Sequence, residues 1–224
     1  MHTDSSVLRI SYAGTLAWYD PAIHPRPEYS WKNWFWGFKA LRVDFTTRSG
    51  YYLFMGLQEL LRRDISWQER VHVDLWGLID RGNVEQVRKM GLENMVSIGG
   101  YLPKEESIRK LSQADVMFLP LESGRDGTRP IYIPGKLFEM LLLGKPILAL
   151  AGASDCRDIL ERSGLSCAVA PDQPSAIADA IEKLYQNRHG LNRQFRPDQA
   201  YISGFSAAAK TQELAKVFDL VLNR

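Results

Sequence analysis

Lys136 and Glu139 are the residues whose types and spacing most invite chemistry. They stand three apart in Ile133-Pro134-Gly135-Lys136-Leu137-Phe138-Glu139-Met140-Leu141-Leu142-Leu143-Gly144-Lys145-Pro146, where charge interrupts an apolar run. The pattern predicts a helix over residues 135–143, with a proline ahead of it and a glycine behind. Lys136 then falls in the first turn, where the macrodipole disfavours a cation unless an anion docks there as well. With an anion present, the ammonium and the free N–H groups of the helix start would face one phosphate. Glu139 shares that helix face and could accept hydrogen bonds from both ribose hydroxyls of a nucleotide whose diphosphate Lys136 holds. An ordinary surface ion pair on a half-buried helix has the same spacing. Spacing alone leaves both readings open.

Other chemistry-bearing residues are scattered. Cys156 and Cys167 stand alone, with no histidine at metal-ligand spacing, so neither a disulfide framework nor a metal site is expected. His2, His24, His72 and His189 have no orienting partner in sequence, and Asp115 and Asp126 read as a turn and a loop residue. No general base stands out. A formal charge of +2 argues against nucleic acid as a partner, because such domains concentrate basic residues on one face. No stretch reaches the roughly 20 apolar residues that span a bilayer, and the first residues lack the pattern of a signal peptide. A cytoplasmic protein is expected.

The elements that must position Lys136 and Glu139 alternate along the chain. Strands are predicted at 8–13, 71–76, 95–98, 116–119, 146–150 and 167–170. Helices are predicted from about Thr46 or Thr47, as caps, through Leu61, and then at 83–90, 103–114, 135–143, 155–163 and 174–186. A polar link covers 188–198, and an amphipathic helix runs from about 206 to 222. Six strands alternating with helices indicate an α/β fold: a Rossmann-like, doubly wound, six-stranded parallel sheet with helices on both faces. Ligands of such sheets sit beyond the carboxyl ends of the strands. That rule draws attention to the loops after Ala13, Gly77, Ile98, Leu119 and Leu150.

The segment from Pro134 to Glu139, followed by Gly144-Lys145-Pro146-Ile147-Leu148-Ala149, resembles the donor-site signature of retaining glycosyltransferases of the GT-B fold. The likeness is nearest to those of bacterial polysaccharide biosynthesis. Tyr12-Ala13-Gly14-Thr15-Leu16, Gly99-Gly100-Tyr101-Leu102-Pro103 and Ala114-Asp115-Val116-Met117-Phe118-Leu119-Pro120 fall in the same order as in that family, so the resemblance covers about residues 7–187. It implies that the chain is one half of a GT-B fold, a single donor-binding domain over 1–224 ending in a helix within 199–224. The resemblance further implies an acceptor-binding N-terminal domain that these 224 residues are not expected to contain, so no turnover is expected of them alone.

The resemblance also implies roles for individual residues. Lys136 would hold the diphosphate and Glu139 the ribose, with Gly135 and Leu137 beside them in the donor nucleotide-sugar site. Gly14 and Thr15 would approach the phosphates, where a missing side chain permits close contact. Backbone around Tyr101 and Leu102 would read the base. Arg48 is a candidate second phosphate ligand, or else a plain surface arginine. The expected co-substrate is a nucleotide-sugar, with UDP the leading nucleotide and GDP an alternative; no cofactor and no obligatory metal are implied. A non-catalytic nucleotide-sugar-binding or regulatory module and half of a sugar-nucleotide epimerase are the competing readings.

One position departs from the family pattern. Many relatives carry a sugar-contacting glutamate eight residues before the second one, and here that residue is Ile131. The sugar contact must come from elsewhere, with the loop from Glu122 to Thr128 as a source. An irregular insertion over 16–45 also carries four of the six tryptophans, Trp18, Trp31, Trp34 and Trp36. Trp31, Trp34 and Trp36 are mixed with lysines. They could fold over the domain's own core, contact another domain, or touch a lipid-linked acceptor or the inner membrane surface.

Overall fold

The computed structural model describes residues 6–17, 43–124 and 128–222. Among them the strands are β1 (Leu8–Leu16), β2 (Val43–Asp44), β3 (Val71–Ile79), β4 (Val96–Ile98), β5 (Val116–Pro120), β6 (Ser123–Gly124), β7 (Ile147–Leu150) and β8 (Ser166–Val169). The helices are α1 (Tyr51–Arg63), α2 (Arg81–Lys89), α3 (Lys104–Gln113), α4 (Gly135–Leu143), α5 (Asp155–Ser163) and α6 (Pro174–Gln186). Short α7 (Leu191–Gln194) and α8 (Gln199–Ser203) lead into α9 (Ala207–Leu222).

Six strands form one sheet in the order β4-β3-β1-β5-β7-β8, every pair parallel. Helices cover both faces, which is the Rossmann-like doubly wound arrangement that the alternation predicts. On one face α1 packs against α6, while α3 lies along β1 and α5 along β8. Central β5 and β7 are buried at every residue, as strands covered on both faces must be. Phe54 of α1 and Phe118 of β5 are the largest side chains sealed in this core.

The chain winds outward from β1 in both directions, through β3 to β4 on one side and through β5 and β7 to β8 on the other. The strand order therefore reverses between β1 and β5. Connections there leave in opposite directions and open a crevice at the strands' carboxyl ends.

Several element boundaries differ from the expected ones, each for a local reason. β1 continues three residues past Ala13 and β3 three past Trp76, because Gly14 and Gly77 sit opposite each other in register and keep the ladder going. Both adopt positive φ (148° and 114°). A Cβ on Gly77 would overlap the carbonyl of Gly14, so two side chains cannot pass there. Thr46 and Thr47 do not cap α1. They belong to a 3-10 turn, Phe45–Arg48, and Gly50 occupies the cap position without a side-chain bond. Thr47 instead accepts a hydrogen bond from Ser123 N through its Oγ1 (2.9 Å). Helices α4, α5 and α6 begin and end where their apolar spacing predicts.

The 188–198 link is more ordered than its composition suggests, since Leu191 and Phe195 are buried. Helix α9 buries none of its residues. Among the described residues, no helix is long and apolar enough to cross a membrane. Trp31, Trp34, Trp36 and nearly all of the 16–45 insertion lie outside the described residues.

Candidate functional site

A cavity of about 350 Å³ opens at the crevice between the carboxyl ends of β1 and β5. Gly14 and Thr15 of β1, Leu119 to Glu122 at the end of β5, and Pro134 to Lys136 at the start of α4 form three of its walls. Arg48 and Tyr132 close it, with Ser154 and Cys156 at the start of α5. Two helix N-termini thus converge on the same space, a field that favours an anion.

Lys136 sits at the centre of this arrangement. Its Nζ lies 4.1 Å from the centre of the Tyr12 ring, in cation–π geometry. A Cβ built on Gly14 would fall inside the ammonium group, so absence of a side chain at residue 14 is what lets the lysine reach the strand. Tyr12 is itself anchored, donating from its hydroxyl to the Thr15 carbonyl (2.6 Å), and burial pushes its phenol up to about 12 against the opposing charge of Arg48. Burial brings the Lys136 ammonium down to about 8; Glu139 resists that shift and Arg48 reinforces it. An ammonium so desolvated gains more from an incoming anion than one in bulk water.

Arg48 reaches the cavity through a chain of backbone ties. β2 pairs antiparallel with β6, which sets the 45–48 turn beside the end of β5. Asn83, fully buried in α2, donates to Leu16 O (3.0 Å) and accepts from Gly50 N (3.3 Å). It thereby fixes the start of α1 against the end of β1. The Arg48 guanidinium contacts Glu122 (Nη1 to Oε2, 3.3 Å) and lies 5.3 Å from the Tyr132 ring centre. The Glu122 side chain is only 9% exposed, against 43% for Arg48.

The expected site residues divide into three sets. Gly14, Thr15, Arg48, Gly135 and Lys136 line the cavity together. Leu137 lies beneath it: its side chain is in the core and its N–H donates to Pro134 O (3.0 Å). Glu139, Tyr101 and Leu102 stand outside the cavity, one turn along α4 and at the head of α3. Glu139 pairs with Lys104 (Nζ to Oε1, 3.0 Å) and not with Lys136, so the ordinary i,i+3 ion pair does not form. That contact links α4 to α3 just after Tyr101, which is 73% exposed, and half-buried Leu102. Ile131 is exposed and takes no part in the cavity wall.

Sequence reasoning misses four wall residues. Tyr132 and Ser154 carry no motif of their own. Cys156 is legible only as a buried apolar residue; it donates from its thiol to Tyr132 O (3.3 Å), and burial raises its pKa to about 11, helped by Glu122 and Asp155. Tyr12 belongs to the Tyr12–Leu16 strand motif, yet nothing in its spacing assigns it to the lysine.

The sequence profile of the glycosyl transferases group 1 matches residues 50–187, more than half of the 224-residue chain. The chain belongs to this family. No curated protein matches it in sequence. Among solved structures it is similar to Anabaena HepE, crystallised with UDP-glucose, at 16% identity and a TM-score of 0.59, over 95% of this chain and 49% of that one. It is also similar to the α,α-trehalose 6-phosphate synthase of Burkholderia multivorans (11% identity, TM-score 0.58, 97% of this chain and 44% of that one). A third is S. aureus TarM, in a complex that includes UDP (12% identity, TM-score 0.61, 98% and 36%). At these identities the likeness concerns the fold, which is GT-B in type. This glycosyl transferase chain spans half or less of each of those structures.

Proposed function

We propose that the chain is the donor domain of a glycosyltransferase and binds a nucleoside-diphosphate sugar, UDP-sugar foremost, with its diphosphate at the switch-point cavity. The observation that carries this reading is Lys136: a desolvated ammonium at a helix N-terminus, lying over a strand glycine that has no side chain to exclude a phosphate. UDP is favoured over GDP because HepE and TarM are solved with UDP-glucose and UDP. Lys136 and the α4 N-terminus neutralise the diphosphate, with Arg48 as a second cation. Glu139 takes the ribose hydroxyls outside the cavity, and the Tyr101–Leu102 backbone the base.

In the reaction, the bond from the sugar's anomeric carbon to the diphosphate oxygen breaks, and that electron pair leaves with the diphosphate. The acceptor hydroxyl oxygen then bonds to the anomeric carbon and loses its proton, with the configuration retained. The chain's share of the work is electrostatic, a fixed positive field where negative charge accumulates on the leaving oxygen. A second domain, forming the opposite wall, would supply the acceptor site and exclude water. A polysaccharide or lipid-linked acceptor is the matching partner, with Trp31, Trp34 and Trp36 as a contact surface at the inner membrane face.

Calorimetric titration of UDP and GDP into the chain tests this, beside Lys136→Ala and Glu139→Ala. Binding of one nucleotide that is lost in the lysine variant and weakened in the glutamate variant is the expected result. A folded chain that ignores both nucleotides at millimolar concentration overturns the proposal.

A further inference from the structure

Beyond Lys136 the same cavity holds a second polar feature, Glu122. We infer that Glu122 is the group that recognises the donor's sugar, and that it selects neutral sugars with free vicinal hydroxyls over sugars that carry a carboxylate. This rests on the donor-site reading and adds the substrate class to it.

The cavity's size and shape divide the ligand first. About 350 Å³ is at the low end of ligand pockets, enough for the diphosphate and one sugar ring but not for the nucleoside too. Glu139 lies outside on the second turn of α4, so with Lys136 holding the diphosphate, the nucleoside extends that way. The rest of the cavity, whose lining includes Glu122, Tyr132 and Pro130, is left to the sugar.

The charges then assign the wall. Among the described lining residues Glu122 is the one carboxylate, sharing the cavity with two cations, Lys136 and Arg48. A diphosphate cannot settle against it without like-charge repulsion, so the uncharged part of the donor must. An ionised carboxylate offers about four lone-pair sites and no donor. Among the described residues it receives a single side-chain contact, from Arg48 at 3.3 Å, longer than the roughly 2.7–2.9 Å of a good charge-assisted bond. Glu122 therefore has acceptor capacity that these groups leave unfilled, on a side chain only 9% exposed. Two adjacent hydroxyls would fill it. A uronic acid would instead bring a second carboxylate into a space where water screens poorly.

Arg48 links the two halves of the donor. It is held by Glu122 and the Tyr132 ring in this structure, so Glu122 withholds a cation from the diphosphate. Removing the carboxylate charge should consequently have effects of opposite sign on diphosphate and sugar.

The test is calorimetric titration of UDP, UDP-glucose and UDP-glucuronate into the wild-type chain, Glu122→Gln and Lys136→Ala. Wild type should prefer UDP-glucose to UDP-glucuronate by about tenfold or more, the scale of an unfavourable like-charge contact. Glu122→Gln should bind UDP as tightly as wild type or more tightly, while its preference between the two sugars shrinks to within about threefold. A misfolded variant cannot produce that combination. If UDP binds through Lys136 but the two sugars bind equally to wild type, or Glu122→Gln keeps the full preference, the sugar assignment is wrong and the donor-site reading stands. If neither UDP conjugate nor UDP binds the folded wild-type chain, both fall together.

Discussion

The cavity at the carboxyl ends of β1 and β5 shares this domain with a larger groove, about 1140 Å³, on the other side of the strands. That groove is lined by Arg9 and Ser11 of β1, Asp74 and Trp76 of β3, Lys145 ahead of β7, and the 188–193 link. Size and basic residues alone would favour it. Yet its buried lysine is already engaged. Lys145 donates to Ala114 O (2.6 Å), and Arg9 pairs with Asp74 (3.9 Å). Asp74 and Asp115 add opposing charge. In the smaller cavity the central ammonium rests on an aromatic face and bare backbone, with helix N-termini aimed beside it. Whether the buried lysine's ammonium already donates a hydrogen bond, as that of Lys145 does, and not how much space surrounds it, separates the two regions.

The sharpest way to break this comparison is to remove the cation at the centre. Lys136→Ala should weaken nucleoside-diphosphate binding by about thirtyfold or more, since charge-assisted bonds from a desolvated ammonium are worth roughly 2–3 kcal/mol. Isothermal titration would read it, and an affinity within a factor of two of wild type would move the ligand elsewhere. Next comes the strand beneath. Gly14→Ala places a methyl group where Lys136 Nζ lies and forces a side chain to φ 148°. It should cost about 1–3 kcal/mol of stability from backbone strain, and it should also weaken nucleotide binding. Denaturant melts together with titration would separate strain from displacement of the lysine.

Much of this arrangement is legible in the amino-acid sequence. The parallel sheet follows from alternation, and α4 follows from its proline, glycine and apolar spacing, which puts Lys136 in the first turn of that helix. Gly14 is legible because a glycine just past a predicted strand, at the ligand end, has few other uses. Three things are not legible, each for a physical reason. Glu139's choice of Lys104 depends on how α3 sits beside α4, a tertiary distance that i,i+3 spacing cannot carry. Glu122 meets Arg48 across 74 residues, through a β2–β6 pairing two residues long that has no periodicity to detect. Thr46 and Thr47 look like helix caps, yet the turn they occupy gives Thr47 to β6.

A smaller effect follows from the burial of Lys136. With its pKa held near 8 in the free chain, a bound diphosphate would raise it again, so binding draws in a proton above pH 8. Affinity should be flat below pH 8 and fall by about tenfold per unit above it, until the pKa of the bound state is reached. Stability has the opposite sign. The unfolded chain holds this proton up to about 10.5 and the folded chain only to about 8. Between those values the unfolded state carries more protons, so unfolding free energy contributed by this group rises with pH. Titrations and melts at pH 7, 8 and 9 would read both. A pH-independent affinity would mean that Lys136 does not meet the phosphate.

The smallest expected effect is also the one that guards the comparison from the other side. Lys145 is likewise a partly buried lysine with a lowered pKa, caused by burial and opposed by Asp115. It stands in the groove, its ammonium spent on the Ala114 carbonyl. Replacing it with methionine keeps the aliphatic stem that packs there and removes the charge together with its bond to the Ala114 carbonyl. Because that charge already has its partner and faces no helix N-terminus of the cavity, Lys145→Met should leave nucleotide affinity unchanged, while loss of the bond to Ala114 O costs about 1–2 kcal/mol of stability. A loss of affinity comparable to that of Lys136→Ala would show that burial of a lysine, wherever it lies, is enough to make it an anion ligand here. The distinction between spent and unspent cations would then fail, and the larger groove would become the better candidate.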